Sequence, residues 1–333
     1  MSQHIPLVLD VDTGIDDSLA ILLACASPEA DLRAVTCVSG NVEAAQVVEN
    51  TLAVLELAGR GDVEVAAGRP VPLVRPLMTT PETHGPRGIG YAELPPARGS
   101  VSVRHAVDLL IEEARRASGE MLVVTLGPLT NLAVAVLREP ELPRLLRGLV
   151  MMAGAYRSPG NTAPTSEWNV AVDPEAMQVV LRAWEAHASE VPPPIALGLD
   201  VTERAKLVPA HLDRLRAAAG PAATGSTIRF IEDALRFYME FHSRFDGFYG
   251  AFIHDALAVA VALDPSLVRT EALAVEVELG GTLTTGETVT DWRHRWGKPP
   301  NLEIAVEADT DRFFDHFTER VGGLAVRTTN VAS

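Results

Sequence analysis

Four aspartates lie within eight residues near the start of the chain. They are Asp10, Asp12, Asp16 and Asp17, in the segment DVDTGIDD. Capping a helix requires one carboxylate, and several packed carboxylates repel one another unless a cation neutralises them. Because the segment contains no histidine or cysteine, its oxygen donors favour Ca²⁺ or Mg²⁺ over zinc. We therefore predict a metal site here, with a helix start that carries polar caps as the alternative.

A second polar cluster, residues 160–169, has the sequence GNTAPTSEWN. Its Asn161, Glu167 and Asn169 could together bind a polyhydroxylated ligand. A polar loop rich in Asx turns has the same composition. Taken alone, the segment favours that simpler interpretation.

A third feature is the pair His254-Asp255, which opens a strongly apolar helical segment. Asp255 as a helix cap beside an exposed His254 is the simpler interpretation. Two further segments, Ser39-Gly40-Asn41 and residues 126–131 (LGPLTN), each follow an apolar run and place an amide there.

Short apolar runs alternate with amphipathic segments of helical length over the first 200 residues. The predicted strands are 7–11, 33–39, 121–126, 149–153 and 195–199, and the predicted helices are 17–26, 44–58, 103–116, 129–137 and 174–186. This pattern predicts an α/β fold with a doubly wound, mostly parallel sheet and helices on both faces. Such sheets bind ligands at the carboxyl ends of their strands, where the aspartate cluster lies.

The C-terminal third has a different pattern. Segments 272–279 and 301–308 alternate apolar with polar residues, which predicts a small antiparallel addition on either side of a turn-rich segment, 280–300. The chain has no long linker and no internal repeat, so we predict a single domain over residues 1–333. The Pro/Gly-rich segment 75–99 is either a functional lid or a surface excursion.

Composition limits the partners. The chain has 333 residues, of which 47% are hydrophobic, and a formal net charge of −16. Such an acidic surface disfavours nucleic acid and anionic membranes as partners. Cys25 and Cys37 lie in apolar runs and are expected to be buried thiols rather than a disulfide or reactive pair. Because residues 1–9 lack signal-peptide features and no apolar run reaches 18 residues, we expect a soluble, cytoplasmic protein.

Several common catalytic motifs are absent from the sequence. It contains no G-x-G-x-x-G, P-loop, G-x-S-x-G or H-E-x-x-H motif. Dinucleotide enzymes, P-loop NTPases, serine hydrolases with a nucleophile elbow and zincins are therefore disfavoured.

Taken together, these segments resemble the inosine-uridine-preferring nucleoside hydrolase family over nearly the whole chain. The matching segments are Asp12-Thr13-Gly14-Ile15-Asp16-Asp17, Asn161 with Glu167-Trp168-Asn169, Asp173-Pro174-Glu175-Ala176, Gly198-Leu199-Asp200-Val201-Thr202 and His254-Asp255. The resemblance implies hydrolysis of the N-glycosidic bond of ribonucleosides. It also implies a homodimer or homotetramer that acts on a small ribonucleoside.

The resemblance implies a set of site residues. Ca²⁺ would be held by Asp12, Asp17, the main-chain carbonyl of Leu126 and Asp255. The family often has Thr at the position of Leu126, but a backbone ligand makes this departure unimportant. The substrate-binding residues would be Asp16, Asn41, His84, Asn161, Glu167, Trp168, Asn169, Tyr238, His242 and Asp255.

The implied mechanism assigns two catalytic residues. Calcium lowers the pKa of a water molecule, and Asp12 takes its proton. The reaction passes through an oxocarbenium-like state of the kind that glycosidases use. His254 would protonate the leaving base, which places the chain nearer the inosine-uridine branch.

The base pocket is where the chain departs from the resemblance. His84 matches a family position near the substrate. Tyr238 and His242 lie where better-known members often carry tyrosines. A histidine at that position leaves base preference open, and a solvated helix residue is the alternative for His242.

Two rival hypotheses remain. A haloacid dehalogenase-like, Mg²⁺-dependent phosphatase also has a D-x-D-x-T motif after its first strand. Asp10 and Asp12 fit that motif, but Gly14 stands in place of Thr, and Asp17 is left without a role. The second rival is a non-catalytic ribose- or calcium-binding relative that has kept the fold.

Overall fold

The computed structural model describes residues 4–331, so the first three and last two residues of the predicted single domain lie outside the described residues. The strands are β1 (Ile5–Val11), β2 (Ala30–Cys37), β3 (Glu64–Ala67), β4 (Leu122–Thr125), β5 (Gly148–Met152), β6 (Ile195–Leu197), β7 (Lys206–Leu207), β8 (Ala251–Phe252), β9 (Val268–Leu273), β10 (Val275–Val277), β11 (Thr288–Thr290) and β12 (Leu302–Ala308).

Helices connect and cover these strands. They are α1 (Ile15–Ala26), α2 (Ala44–Leu57), α3 (Pro81–His84), α4 (Ala106–Arg116), α5 (Thr130–Arg138), α6 (Leu142–Leu145), α7 (Trp168–Val172), α8 (Pro174–Ala186), α9 (Leu199–Thr202), α10 (Pro209–Ala219), α11 (Ser226–Phe245), α12 (His254–Leu263) and α13 (Thr310–Val331). Short 3₁₀ helices span Gly220–Thr224 and Pro265–Leu267.

The central sheet has eight strands in the order β3-β2-β1-β4-β5-β6-β12-β9. All neighbours pair in parallel except β12 and β9, which are antiparallel. Leu7 and Leu9 of β1 belong to the core that includes residues of α1, α12 and α13, whereas Val8 belongs to the core of α4, α5 and α8. Because both faces of the sheet are covered, the predicted doubly wound α/β fold is confirmed.

The C-terminal strands differ in detail from the prediction. Segment 272–279 is divided between β9 and β10, and β10 pairs with β11 in a separate two-stranded sheet. β12 belongs to the main sheet, where it pairs in parallel with β6 and antiparallel with β9. Alternation of apolar and polar residues indicates that one face of a strand is buried, but it does not indicate which strand pairs with it.

Element boundaries also moved by a few residues. β2 begins at Ala30 and ends at Cys37 rather than spanning 33–39, and α1 begins at Ile15 rather than at Asp17. The sequence pattern missed β3 and the helices α10, α11 and α13.

Cys25 and Cys37 are both free. Within residues 4–331 no helix is both long and apolar enough to cross a membrane.

Candidate active site

Three carboxylates converge at the carboxyl edge of the sheet. Asp16 and Asp17 lie in the first turn of α1, directly after β1, and Asp255 lies in the first turn of α12. One carboxylate oxygen from each lies within 4.8 Å of the other two, and all three side chains are buried. Burial, together with the charge of Asp17, raises the pKa of Asp16 to about 8. The three carboxylates, when ionised, therefore repel one another unless a cation neutralises them.

Asp12 lies beside this group and is held by backbone donors. The N–H of Asn41 donates to Asp12 Oδ2 at 2.7 Å, and the N–H of Asp12 donates to Asp17 Oδ1 at 3.1 Å. Oδ1 of Asp12 is buried and lacks a hydrogen-bond partner within residues 4–331. Burial and the negative charge of Asp17 raise the pKa of Asp12 well above its ordinary value. A cation or a water molecule would satisfy the free oxygen.

Two glycines allow the backbone to approach Asp12 closely. A Cβ atom on Gly40, after β2, would lie 2.1 Å from Asp12 Oδ2. A Cβ atom on Gly127, after β4, would lie 2.8 Å from Asp12 Oδ1. Both loops therefore require glycine, because any side chain would displace the carboxylate.

The donor set fits a hard cation. Asp12, Asp17 and Asp255 offer only oxygen atoms, as does the main-chain carbonyl of Leu126, a residue that lines the same cavity. That carbonyl accepts a hydrogen bond from Asn169 Nδ2 at 2.7 Å, which leaves its second lone pair free. The buried, partnerless Oδ1 of Asp12 is a further acceptor that a cation would satisfy. Oxygen-only donors are those that Ca²⁺ and Mg²⁺ prefer.

The loop that precedes α7 is fixed by its own side chains. Glu167 caps α7 and accepts from the N–H groups of Asn169 at 2.7 Å and Gly154 at 2.9 Å. Asn169 Nδ2 donates to the carbonyls of Leu126 and Met152, so this amide bridges the ends of β4 and β5. The Oδ1 atom of Asn169 is thereby left as the polar atom available to a ligand. The segment is a polar loop, as the simpler interpretation held, and it is also part of the cavity wall.

These groups surround a cavity of about 510 Å³. Of the predicted site residues, all except Asp12 and Asp17 line it, and those two are fully buried beside it. The lining includes Asp16, Asn41, His84, Leu126, Asn161, Glu167, Trp168, Asn169, Tyr238, His242, His254 and Asp255. We call the part lined by Asp16 and Asp255, with Asp12 and Asp17 buried beside them, the carboxylate end of the cavity.

Another part of the cavity wall carries rings, and we call it the aromatic end. It is formed by His84, Tyr238, Phe241, His242, Phe252 and His254. The ring of Tyr238 lies 5.4 Å from that of His84 and 4.5 Å from that of His242. His84 Nδ1 accepts from the N–H of Ile15 at 3.1 Å, which ties α3 to the start of α1.

His254 joins the two ends. Its Nδ1 lies 2.8 Å from Oγ1 of Thr202, and the Thr202 hydroxyl can itself donate to the carbonyl of Gly198 at 3.2 Å. Nδ1 is then the donor, and Nε2 is left without a hydrogen. Burial lowers the pKa of His254 to about 3, so the ring is neutral in the free protein.

Comparison with known proteins agrees with this geometry. The family model described as inosine-uridine preferring nucleoside hydrolase matches residues 7–315. The chain belongs to this family.

Similar proteins cover the chain almost completely. The pyrimidine-specific ribonucleoside hydrolase RihA of Enterobacter sp. (strain 638) is 36% identical over 97% of this chain and 99% of its own length. The inosine-uridine preferring nucleoside hydrolase of Leishmania major is 38% identical over 92% of this chain and 94% of its own. A purine-preferring ribonucleoside hydrolase from Gardnerella vaginalis has a TM-score of 0.88 at 32% identity and covers 97% of this chain and 99% of that one.

The chain is therefore a nucleoside hydrolase, and the resemblance stated from its sequence is confirmed. The comparisons do not support the phosphatase hypothesis. They also favour an enzyme over a non-catalytic relative, because these relatives are described as hydrolases.

Sequence reasoning missed several groups of this nucleoside hydrolase site. Thr202 holds His254, Asp246 pairs with His242, and the side chains of Glu203, Phe241 and Phe252 line the cavity. Asp246 had a local signal, since it lies four residues after His242, a spacing that places two side chains on one helical face. Thr202 belongs to the segment Gly198-Leu199-Asp200-Val201-Thr202 that resembles the family, but the sequence did not indicate its contact with His254. The aromatic residues carried no signal that separates a cavity wall from an ordinary core.

Proposed function

We propose that this nucleoside hydrolase splits the N-glycosidic bond of ribonucleosides into free base and ribose and depends on Ca²⁺ for this reaction. The observation that carries the proposal is the buried group of Asp16, Asp17 and Asp255 beside Asp12, whose Oδ1 lacks a hydrogen-bond partner within residues 4–331, at a cavity of about 510 Å³. That volume is within the range of small-molecule sites.

We also propose that residues 1–333 form one domain, since both hydrophobic cores pack against the same central sheet.

Asp12, Asp17, Asp255 and the carbonyl of Leu126 would hold the cation. A bound Ca²⁺ would supply the positive charge that keeps these carboxylates ionised and lowers the pKa of a water molecule. Calcium is favoured over Mg²⁺ because three carboxylates and a main-chain carbonyl form a set of four protein oxygens, whereas Mg²⁺ usually keeps several waters and binds one or two carboxylates.

Asp12 is the proposed general base. Its Oδ2 is held by the N–H of Asn41, so Oδ1 is the atom free to take a proton from the attacking water. The backbone at Gly40 and Gly127 approaches the Asp12 side chain closely and restricts its carboxylate to one orientation. A base fixed in this way loses little entropy when the water is bound.

The ribose is proposed to lie between the carboxylate end and the loop before α7. Asp16 and Glu167 are buried carboxylates that line the cavity there, and Asn41, Asn161 and Asn169 add polar atoms. These acceptors suit the sugar hydroxyls. Their negative charge also favours the positive charge that develops on the sugar in an oxocarbenium-like transition state.

His254 is the proposed donor to the departing base. It lies between Phe252 and Asp255, where the two ends of the cavity meet, and Thr202 orients its ring. Because burial lowers its pKa to about 3, the ring is neutral before reaction. Since Nδ1 carries the hydrogen of the neutral ring, Nε2 would first take up a proton from solvent, which the negative charge developing on the base favours. It would then give that proton to the base as the glycosidic bond breaks.

The direct test is release of reducing sugar from a panel of ribonucleosides, measured before and after prolonged chelation. We expect hydrolysis that is lost with the chelator and restored by added Ca²⁺. Elemental analysis of each sample serves as the control. Full activity in a sample shown to be metal-free would overturn the calcium dependence, and no hydrolysis of any ribonucleoside would overturn the proposed activity.

A further inference from the structure

His242 and Asp246 lie one helical turn apart at the C-terminal end of α11. Nδ1 of His242 lies 2.7 Å from Oδ2 of Asp246, and the backbone N–H of Asp246 donates to the carbonyl of His242 at 2.8 Å. Two contacts therefore hold the carboxylate against the ring. Both residues line the cavity at its aromatic end.

The other nitrogen of this ring is without a partner. His242 is 4% exposed, and within residues 4–331 its Nε2 is buried and makes no hydrogen bond. A buried polar atom that is left unsatisfied costs free energy, and such atoms in folded proteins call for an explanation. A ligand in the cavity that His242 lines would satisfy it.

Aromatic rings pack around His242. The ring of His242 lies 4.5 Å from that of Tyr238, 4.8 Å from Phe252 and 5.6 Å from Phe248. The phenylalanine rings offer surface to a flat ligand but no hydrogen-bonding atom. His242 therefore supplies a polar atom where polar atoms are few.

The partner of Nδ1 determines what Nε2 can do. An ionised carboxylate only accepts hydrogen bonds, so Nδ1 carries the hydrogen and Nε2 of the neutral ring carries a lone pair. Burial lowers the pKa of His242, and the hydrogen bond to Asp246 opposes that shift. Other charged or titratable groups that line this cavity are Tyr238, Glu203, His84 and His254.

We propose that Asp246 is a positioning residue that fixes the tautomer of His242, so that Nε2 accepts a hydrogen bond from an N–H group of the nucleobase. This inference rests on the proposed function, since it requires a nucleoside in the cavity. The substrate class it selects is bases with a ring N–H next to a carbonyl group, such as uracil and hypoxanthine. A base methylated at that nitrogen loses the hydrogen bond and gains a clash.

The inference predicts a discrimination in the wild-type enzyme. We expect kcat/KM for uridine to exceed that for 3-methyluridine by at least about tenfold, and the same for inosine over 1-methylinosine, because the unpaired Nε2 is costly. A p-nitrophenyl riboside has no ring N–H and serves as the reference substrate. Equal rates on each methylated and unmethylated pair would overturn the inference.

Two variants of Asp246 separate orientation from charge. Asp246→Ala removes the acceptor and leaves the ring free to carry its hydrogen on either nitrogen, so uridine should be cleaved about 3- to 10-fold more slowly. Asp246→Asn keeps an acceptor oxygen without the charge and should retain most of the wild-type rate. Neither change should alter cleavage of the p-nitrophenyl riboside. Asp233→Ala, on the same helix and paired only with the exposed Arg236, is the matched control.

A double-mutant cycle tests whether Asp246 acts through His242. His242→Phe should abolish discrimination against 3-methyluridine, and Asp246→Ala should add nothing in that background. Additive losses would overturn the positioning role. If the phenylalanine variant does not fold, His242→Gln replaces it in the same cycle.

A spectroscopic readout does not depend on turnover. In protein labelled with ¹⁵N-histidine, His242 should show a protonated Nδ1 and an unprotonated Nε2, and Asp246→Ala should change this pattern. A proton on Nε2 in the wild type would overturn the inference.

If the wild type cleaves no nucleoside, the proposed function fails. If the wild type is active and Asp246→Ala keeps its full rate and discrimination, only this inference fails.

Discussion

At the carboxylate end of the cavity, three of the four aspartates follow β1 within a few residues, and backbone N–H groups hold their oxygens. At the aromatic end, the side chains come from α3, α11, β8 and α12, and they are held by contacts between rings and by single hydrogen bonds made by the histidines. The first arrangement is set by loops with little freedom. The second can accept other side chains without disturbing the sheet.

This difference suggests a division of work. The carboxylate end would activate water and bind the sugar, which every ribonucleoside shares, whereas the aromatic end would deal with the base, which varies. Relatives with similar folds are described as pyrimidine-specific in one case and purine-preferring in another. Changes at the carboxylate end should therefore affect all substrates, and changes at the aromatic end should depend on the leaving group.

The largest expected effect is that of Asp12→Asn. The amide keeps an oxygen for the cation but cannot accept a proton, so kcat should fall by roughly 10²–10⁴ on every substrate, with a smaller change in KM. Steady-state kinetics with the metal content checked would measure this. Asp108→Asn, at an exposed ion pair on α4, is the control. A near-native kcat with the cation still bound would exclude Asp12 as the base.

Removal of the cation should destabilise the carboxylate end, and more so at higher pH. A cation at 100 times its Kd stabilises the native state by about 2.7 kcal/mol, which chelation would remove. In the metal-free protein, burial together with the charge of Asp17 raises the pKa of Asp16 from 3.8 to about 8. The native state then holds a proton that the unfolded chain releases, so stability falls as pH rises from about 4 to 8.

Thermal unfolding with and without chelator, at several pH values, would measure this effect. The calcium-loaded protein should show little of this dependence because its carboxylates are already ionised. Identical unfolding curves with and without metal would contradict the assignment of the cation to this group.

Loss of a sugar hydroxyl should have a smaller effect. The Oδ1 atom of Asn169 would be left unpaired by a 2′-deoxynucleoside, and an unpaired buried polar group costs about 1–3 kcal/mol. We therefore expect kcat/KM for 2′-deoxyuridine to be roughly 10- to 100-fold below that for uridine. Comparable values would place the sugar elsewhere in the cavity.

The smallest effect should come from Thr202→Val, which removes the hydrogen-bond partner of His254 and keeps the shape of the side chain. A neutral hydrogen bond is worth about 0.5–1.5 kcal/mol, so uridine cleavage should slow by about 2- to 10-fold. A p-nitrophenyl riboside, whose leaving group needs no proton, should be unaffected. An equal loss on both substrates would mean that Thr202 supports the carboxylate end instead.

The two ends also differ in how far the sequence predicted them. The parallel sheet and the aspartate cluster were predictable because their signals are local: apolar runs, and carboxylates at the end of a strand. The pairing of His254 with Thr202 spans 52 residues, and the contact of His84 with Tyr238 joins α3 to α11. Such contacts depend on tertiary packing, for which the periodicity of one segment carries no information.

The division of work is tested most directly by comparing Asp12→Asn and His254→Ala on uridine and on a p-nitrophenyl riboside. Asp12→Asn should slow both substrates to a similar extent. His254→Ala should slow uridine by about 10²–10⁴ and leave the p-nitrophenyl riboside nearly unchanged, because a phenolate leaves without a proton. Equal losses on both substrates in His254→Ala would contradict the account and place His254 with the sugar or with Asp255.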